Sequence, residues 1–198
     1  MKYVSIDLEM TGLDPETCQI LQFGAVIEDT ENIKPLEDLP VFNCYILQDI
    51  YKGEVDGISM NSKIFEKLRQ YKNKLLDTTD LFTTEKNVGF YFKKFLIDNG
   101  IIADKNNRVN ITVAGKNFGA SDLNFINKLP NFKKHISISS KIIDPGILYF
   151  NPEIDTSLPG LSACLRRANK PFLVSHTAVE DALDVIKLIR NIKFPIYK

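Results

Sequence analysis

The chain has 198 residues, of which 44% are hydrophobic and 25% are charged, and its basic and acidic residues balance to a formal net charge of zero. This size supports one sizeable hydrophobic core and favours a single α/β domain that spans residues 1–198. The balanced charge argues against broad, salt-driven coating of nucleic acid, which needs a basic surface. The balanced charge remains compatible with an enzyme that holds only the end of a nucleic-acid strand.

Cysteine usage and the N-terminal sequence lead us to expect a cytoplasmic protein. Cys18, Cys44 and Cys164 are odd in number, widely separated and outside any C-x-x-C motif, which disfavours a zinc ribbon or a disulfide framework. The segment MKYVSIDLEM carries acids where a signal peptide needs an apolar run, and no stretch is long enough to span a bilayer. We therefore expect no membrane partner.

The apolar pattern predicts three strands followed by alternating helices and strands. Strands are expected at 2–9, 19–29 and 40–47, joined by short links that are typical of an antiparallel meander. The later elements are expected as helices at 60–72 and 83–100, a strand at 109–114, a helix at 121–129, a fifth strand at 137–145, and helices at 158–170 and 177–192. This order predicts a mixed sheet flanked by helices.

The first predicted strand carries two acids, Asp7 and Glu9, among apolar residues. Their spacing of two places both side chains on one face of the strand. Two carboxylates ~4 Å apart at an effective dielectric of ~20 repel by roughly 4 kcal/mol. A fold tolerates this if a cation compensates or one acid is protonated, and Mg²⁺ or Mn²⁺ is the natural candidate. Alternatively, these acids cap turns or face solvent.

A third acid, Asp122, follows the predicted strand 109–114 near the start of a helix, in AGKNFGASDLNFI. Asn117 and Gly119 predict a tight strand-to-helix turn that would bring Asp122 over the edge of the sheet. The alternative is that Asp122 is a helix cap, or an acid favoured there by the helix dipole.

A fourth acid lies in the last helix, in VSHTAVEDALDVIKLIR. Thr177 and Glu180 form a capping box, which predicts that this helix begins near Ala178 and that Asp181 lies in its second turn. Asp181 lies in the same row of the helix surface as the apolar residues Val185 and Leu188, so its carboxylate also requires a compensating charge. Asp184 is expected at the surface. His176, just before the cap, is free to project over a site, although a lone histidine is more often structural.

Three motifs in this order resemble the DEDDh 3′–5′ exonucleases, the family of proofreading exonuclease subunits, ribonuclease T and oligoribonuclease. They are IDLEMTGLDPE, NFGASD and HTAVED, and the resemblance covers residues 3–190. It implies a ribonuclease H-like fold, with a five-stranded mixed sheet whose first three strands are antiparallel. Its implied substrates are 3′ ends of single-stranded DNA or RNA, and a homodimer is left open.

The same resemblance implies roles for individual residues of the three motifs. Asp7, Glu9, Asp122 and Asp181 would hold two Mg²⁺ or Mn²⁺ ions, which activate a water and stabilise the leaving 3′ oxygen. His176 would be the general base, for which an unperturbed pKa of ~6.5 is suited. The residues expected to contact substrate are Met10, Thr11, Gly12, Leu13, Asn117 and Phe118. Phe118 is expected either to stack on a base or to pack in the core.

The first motif is close to that of oligoribonuclease, which degrades very short RNA. Ser140 and Lys141 stand where that family carries a Tyr-Arg pair, and the chain has no Trp. We therefore favour a general exonuclease that releases nucleoside 5′-monophosphates. A non-catalytic nucleic-acid-binding module of the same fold is a further alternative. Basic residues form two groups that are either solvated faces or a path for strand phosphates: Lys128, Lys133, Lys134, His135 and Lys141, and Arg166, Arg167 and Lys170.

Overall fold

A computed structural model describes residues 1–171 and 177–192 of the chain. Seven strands are present in these ranges: β1 (Lys2–Met10), β2 (Ile20–Asp29), β3 (Val41–Ile46), β4 (Leu81–Thr83), β5 (Val109–Ile111), β6 (Val113–Ala114) and β7 (Ile136–Ile138). The α-helices of the same ranges are α1 (Val55–Met60), α2 (Ser62–Lys72), α3 (Glu85–Asp98), α4 (Asp122–Ile126), α5 (Phe132–His135), α6 (Pro145–Leu148), α7 (Leu161–Arg167) and α8 (Ala178–Asn191). A 3₁₀ turn covers Leu36–Asp38.

The main sheet has five strands in the order β4-β3-β2-β1-β6. β1 and β2 pair antiparallel, as do β2 and β3, whereas β6 joins β1 and β4 joins β3 in parallel. The antiparallel meander and the mixed, helix-flanked sheet expected from the sequence are therefore confirmed. The topology is that of a ribonuclease H-like fold.

The two faces of β1 bury different sets of side chains because successive residues of a strand point to opposite sides. Val4, Ile6 and Leu8 belong to the larger core, which also contains the buried face of α3. Tyr3 lies on the other face, in a core that includes the inward residues of α8. Asp7 shares the face of Tyr3, so the acids of β1 point towards the side covered by α8.

The last two strands of the main sheet differ from the expectation. The predicted strand 109–114 is divided at Thr112 into β5 and β6, which belong to different sheets. The predicted fifth strand 137–145 is wrong as a member of the main sheet, because β7 ends at Ile138 and pairs with β5. Only Ile143 of that segment reaches the main sheet, through an isolated bridge to Ala114. The fifth strand of the main sheet is instead β4, at 81–83, which the sequence analysis missed.

Several helices are shorter or more divided than expected. The predicted helix 60–72 is α2, and Asn61 separates it from an additional helix, α1, because its side-chain amide donates to the carbonyls of Met10 and Gly57, at 3.0 Å each. The helical periodicity of this segment places Tyr71 on the same side as Ile64 and Leu68, but Tyr71 is exposed and stacks on Phe82, whereas the other two are buried. The helices predicted at 83–100, 121–129 and 158–170 are present as the shorter α3, α4 and α7.

Within the described ranges, no helix combines the length and the apolar character that a membrane span requires.

Candidate active site

The C-terminal half of β1 presents Asp7 and Glu9 on the face that α8 covers. The hydroxyl of Ser5, on the same face, donates a 2.7 Å hydrogen bond to the backbone carbonyl of Ala182 in α8. This buried contact fixes the first turns of α8 against β1. The period-two alternation of the strand then carries the acids to the N-terminal end of that helix.

The first turn of α8 also rests directly on β2. A Cβ atom added to Gly24 would lie 2.4 Å from the backbone carbon of Ala178, so only glycine permits this approach. The Gln22 side-chain oxygen accepts a hydrogen bond from the Ala178 N–H at 3.2 Å. Asp181 therefore lies in the first turn of α8 and not in the second turn that we expected. The start of the helix at Ala178 agrees with the prediction.

The fold brings the four acids of the three motifs together. Asp7, Glu9 and Asp181 each offer a carboxylate oxygen, and these oxygens all lie within 4.8 Å of one another. Asp122 joins them from the start of α4, because its Oδ1 accepts a 2.9 Å hydrogen bond from the Leu8 N–H, between the two acids of β1. Asp122 and Asp181 are both buried. The cluster is thus assembled from three distant segments of the chain.

Burial and mutual repulsion raise the pKa values of these carboxyls. Burial is the main cause for Asp7, and repulsion from the other three acids adds to it, so the pKa of Asp7 lies well above its usual range. Burial, followed by repulsion from Asp181 and Asp122, raises the pKa of Glu9 to about 7. Burial raises the pKa of Asp122 to about 7, although backbone hydrogen bonds, including that from Leu8, oppose the change. The cluster resists full ionisation at neutral pH.

Asp181 has two further acids as neighbours on α8. Its pKa is raised to about 7, first by burial and then by repulsion from Asp184 and Glu180. The expectation that Asp184 lies on the surface is wrong, because its side chain is only 13% exposed and forms a 2.7 Å ion pair with Lys187. Glu180 and Asp184 therefore add to the repulsion that Asp181 experiences from the other motif acids.

The donor set fits a divalent cation. Oδ1 of Asp181 is buried and has no hydrogen-bond partner in the part of the chain that the structure describes, which is costly unless a ligand binds there. Among the described residues, no lysine or arginine forms an ion pair with Asp7, Glu9, Asp122 or Asp181. Carboxylate oxygens are the ligands that Mg²⁺ and Mn²⁺ prefer. The missing positive charge is therefore one that a hard divalent ion can supply.

The turn after β1 was expected to contact substrate, and its residues differ strongly in exposure. Leu13 is 80% exposed, whereas Met10 is half-buried and Thr11 is fully buried. The Thr11 hydroxyl donates to the Lys52 carbonyl at 2.6 Å and accepts from the Gln19 N–H at 2.8 Å. Thr11 therefore supports the turn from inside, whereas Leu13 is largely, and Met10 partly, open to a ligand.

A segment that the sequence analysis did not single out packs against this turn. Gly53 and Gly57 lie so close to Thr11 that an added Cβ would be 2.3 to 2.4 Å from its atoms. A Cβ on Gly12 would be 2.6 Å from both the Glu54 carboxyl carbon and the sulfur of Cys18. The side chains of Glu54 and Cys18 therefore occupy one side of Gly12, so they limit on that side the contact with substrate that we expected there. The two glycines of KGEVDGIS were the available signal.

The turn before α4 holds the other two residues that were expected to contact substrate. Asn117 is exposed and has a left-handed backbone, with φ of 58°, as the predicted tight turn requires. Its N–H donates to Oδ2 of Asp144 at 2.9 Å, while Oδ1 of the same carboxylate accepts from Gly146 at 2.7 Å. Phe118 is fully buried in the larger core and offers no surface to a base, so we drop it from the contact set.

The expected position of His176 over the acids stays a prediction, because His176 lies outside the described residues.

Arg167 was grouped with basic residues that could form a path for strand phosphates. Its guanidinium instead donates two hydrogen bonds of 2.6 Å to the carboxylate of Asp155. Sequence reasoning also missed the supporting roles of Gln22, Asn61 and Asp144. Polar residues within an apolar strand, as at Gln22, were the signal available.

Comparisons with known proteins found one matching family and several structures of similar fold. The profile of the RNase_T family, described as Exonuclease, matches residues 4–189. A comparison with curated protein sequences gave no match. Similar solved structures include cell-death related nuclease 4 (CRN-4), with a TM-score of 0.64 and 15% identity over 96% of this chain and 62% of that chain.

Two similar structures are of E. coli exonuclease I. The zinc-bound ExoI–ssDNA complex has a TM-score of 0.62 and 15% identity over 97% of this chain and 40% of that one. The complex with a dT13 oligonucleotide has a TM-score of 0.61 and 14% identity over 96% and 40% of the two chains. At such identities the likeness shows a shared fold. The chain spans less than two thirds of the length of these neighbours.

Proposed function

Because this chain belongs to the RNase_T exonuclease family, of the DEDDh type, we propose that it is a metal-dependent 3′–5′ exonuclease. Its substrates are the 3′ ends of single-stranded nucleic acid, and its products are nucleoside 5′-monophosphates. The single observation that carries the proposal is the buried carboxylate cluster. The carboxylate oxygens of Asp7, Glu9 and Asp181 lie within 4.8 Å of one another, and Oδ1 of Asp122 accepts a hydrogen bond from the Leu8 N–H, which lies between Asp7 and Glu9 in β1.

The proposal assigns metal binding to the four acids. Asp7, Glu9, Asp122 and Asp181 would hold two Mg²⁺ or Mn²⁺ ions, and the bound ions would supply activation of the attacking water and stabilisation of the leaving 3′ oxygen. The protein contributes the rigid placement of the ligands. β1 fixes two of them at period-two spacing, the Leu8 N–H orients Asp122, and α8 supplies Asp181 from its first turn.

His176 is proposed as the general base that accepts the proton of the attacking water. An imidazole is half protonated near pH 6.5 in the absence of perturbation, so it accepts a proton readily at neutral pH. His176→Ala should lower the rate of hydrolysis about 10²- to 10⁴-fold, the usual contribution of such a group, and spare metal affinity. Unchanged turnover would remove the assigned role.

The residues proposed to contact the 3′-terminal nucleotide are Leu13, Met10 and Asn117. Leu13 supports this because its exposed side chain provides an apolar contact for a base or sugar beside the acids. Asn117 is exposed on the turn that leads to Asp122. The exonuclease I structures of similar fold were solved with single-stranded DNA, which supports the single-stranded substrate class.

A time course with 5′-labelled RNA and DNA of several lengths, with and without Mg²⁺ or Mn²⁺, tests the function. A ladder that shortens from the 3′ end and disappears in EDTA is the expected result, and Asp7→Asn is the inactive control. Attack only on dimers and trimers of RNA would indicate the oligoribonuclease type instead. Binding of oligonucleotides without cleavage would indicate the non-catalytic module, against which the presence of all four acids argues.

A further inference from the structure

A cleft lies between α4, α5 and β7, and α4 connects it to the candidate active site. Its volume is about 390 Å³, and apolar side chains such as Ile126 and Ile138 line part of it. Its polar lining is supplied by the side chains of Asn127, Ser137 and other serines of the segment that follows β7. The cleft thus joins an apolar surface to several hydrogen-bonding groups, and nothing in the proposed chemistry of the acids uses it.

The charged residues of the cleft are all basic. Arg108 and Lys133 line it, and no aspartate or glutamate of the described ranges does. Lys133 is exposed and forms no ion pair with the described residues. The Arg108 side chain is 41% exposed, and its Nε lies 3.9 Å from Oδ2 of Asp104. That Nε is buried and has no hydrogen-bond partner within residues 1–171 and 177–192. Lys134 and Lys141 flank the cleft on α5 and after β7, and both are exposed.

The positive charge of Arg108 is only loosely compensated. The two carboxylate oxygens of Asp104 are engaged elsewhere, since Oδ1 accepts from the backbone N–H of Asn106 at 2.8 Å and of Arg108 at 2.9 Å. Oδ2 accepts from the Asn110 amide at 3.5 Å. The guanidinium therefore retains donors for an anion that enters the cleft.

The cleft is close to the acids along a single short helix. Asp122 is the first residue of α4, while Leu123 and Ile126 of the same helix line the cleft, followed by Asn127. A helix rises 1.5 Å per residue, so Asn127 lies about 7.5 Å along the axis from Asp122. A strand whose 3′ end is held at the acids reaches this distance within a few nucleotides.

We propose that this cleft binds the single-stranded substrate a few nucleotides upstream of its 3′ end. Arg108 and Lys133 contact a phosphate, and a nucleobase rests on the apolar lining. A positive groove joined to a surface on which bases can pack is the chemistry of single-strand binding without sequence preference. The inference rests on the proposed exonuclease function. An extended peptide along the edge of β7 is the competing occupant, and the uniformly basic charge favours the nucleic acid.

The test measures binding separately from hydrolysis. Fluorescence anisotropy in EDTA gives the affinity of the full chain for a labelled 12-nucleotide single strand and for a trinucleotide. Arg108→Gln with Lys133→Gln should weaken binding of the 12-mer about tenfold and leave the trinucleotide unchanged. The slope of log K against log salt should fall by about 1.4, because each lost phosphate contact on a single strand removes about 0.7.

The matched control is Lys34→Gln, which removes one positive charge from an exposed lysine that lines a different cleft. Lys34→Gln should bind the 12-mer with wild-type affinity, whereas Lys133→Gln alone, which also removes one positive charge, should bind it more weakly. The single Lys133 variant also keeps the test decisive if the double variant does not fold, as judged by its circular dichroism and melting temperature.

Three results would overturn the inference. They are a wild-type protein that binds both oligonucleotides equally, a double variant that binds the 12-mer like the wild type, and a double variant that loses both oligonucleotides alike. Failure of the proposed function looks different, since the wild type would then hydrolyse neither oligonucleotide in Mg²⁺. The double variant is expected to retain hydrolysis of the trinucleotide at the wild-type rate, which shows that the acids are intact.

Discussion

Replacement of Asp7 by asparagine is expected to abolish hydrolysis and to make the metal-free protein increasingly more stable than the wild type as the pH rises. The carboxylate oxygens of Asp7, Glu9 and Asp181 lie within 4.8 Å of one another. Two unit charges at that separation repel by about 3.5 kcal/mol at an effective dielectric constant of about 20. The substitution removes one charge from this group while keeping nearly the same side-chain shape.

The pH dependence follows from the raised pKa values. A carboxyl whose pKa is raised by folding holds its proton more tightly in the folded state, so stability is lost as the pH rises from the ordinary pKa to the raised one. For Glu9 this interval runs from 4.5 to about 7. The pKa of Asp7 lies well above 3.8, and its ionisation costs further stability as the pH rises. Asparagine cannot ionise, so the variant escapes the part of this loss that is due to Asp7.

Thermal unfolding in EDTA between pH 4 and pH 9 measures the effect. The two proteins should melt at similar temperatures near pH 4, where the carboxyl of Asp7 is largely protonated in both states, and the variant should be more stable by about 3.5 kcal/mol at pH 9. For a chain of this size that corresponds to roughly 7–14 °C. Asp38→Asn, at an exposed acid in the 3₁₀ turn, should show no such divergence. A variant that is less stable than the wild type at pH 9 would refute the electrostatic account of the cluster.

The other predictions concern the packing of α8, an ion pair and metal binding. Gly24→Ala should lower stability by about 1–3 kcal/mol and reduce activity, because its Cβ would meet the Ala178 backbone, whereas Gly160→Ala has nothing within 4 Å and should melt like the wild type. Asp155, whose pKa is lowered to about 2 by hydrogen bonds from Arg167, stabilises the fold above pH 3.8 and loses that effect as the pH falls towards 2. Asp155→Asn should therefore lower the melting temperature at pH 7, with a difference that shrinks near pH 2; a constant difference would contradict this. Magnesium at 100 times its Kd should stabilise the wild type by about 2.7 kcal/mol in differential scanning calorimetry, and equal stabilisation of the Asp7 variant would argue against metal binding by that acid.

Local patterns in the sequence were sufficient for the elements that carry the acids. The alternation along β1 is a property of any extended chain, so Asp7 and Glu9 had to share one face. The start of α8 at Ala178 was also predictable, because Thr177 and Glu180 have the spacing of a capping box, a signal that depends only on residues three apart. The capping box itself is not formed, since the Thr177 hydroxyl donates a 2.7 Å hydrogen bond to the Glu180 carboxylate and caps no backbone N–H. The resemblance of the motifs to the family implied that Asp122 and Asp181 belong to the same site.

The tertiary structure alone decided how these elements meet, because the contacts involved join residues that are far apart in the chain. Gly24 lets α8 approach β2, and this packing moves Asp181 into reach of β1. The division of the strand at Thr112 and the burial of Phe118 depend on which neighbours compete for each backbone and side chain. The apolar pattern of a strand indicates which residues are buried, but it does not identify the residues that pack against them.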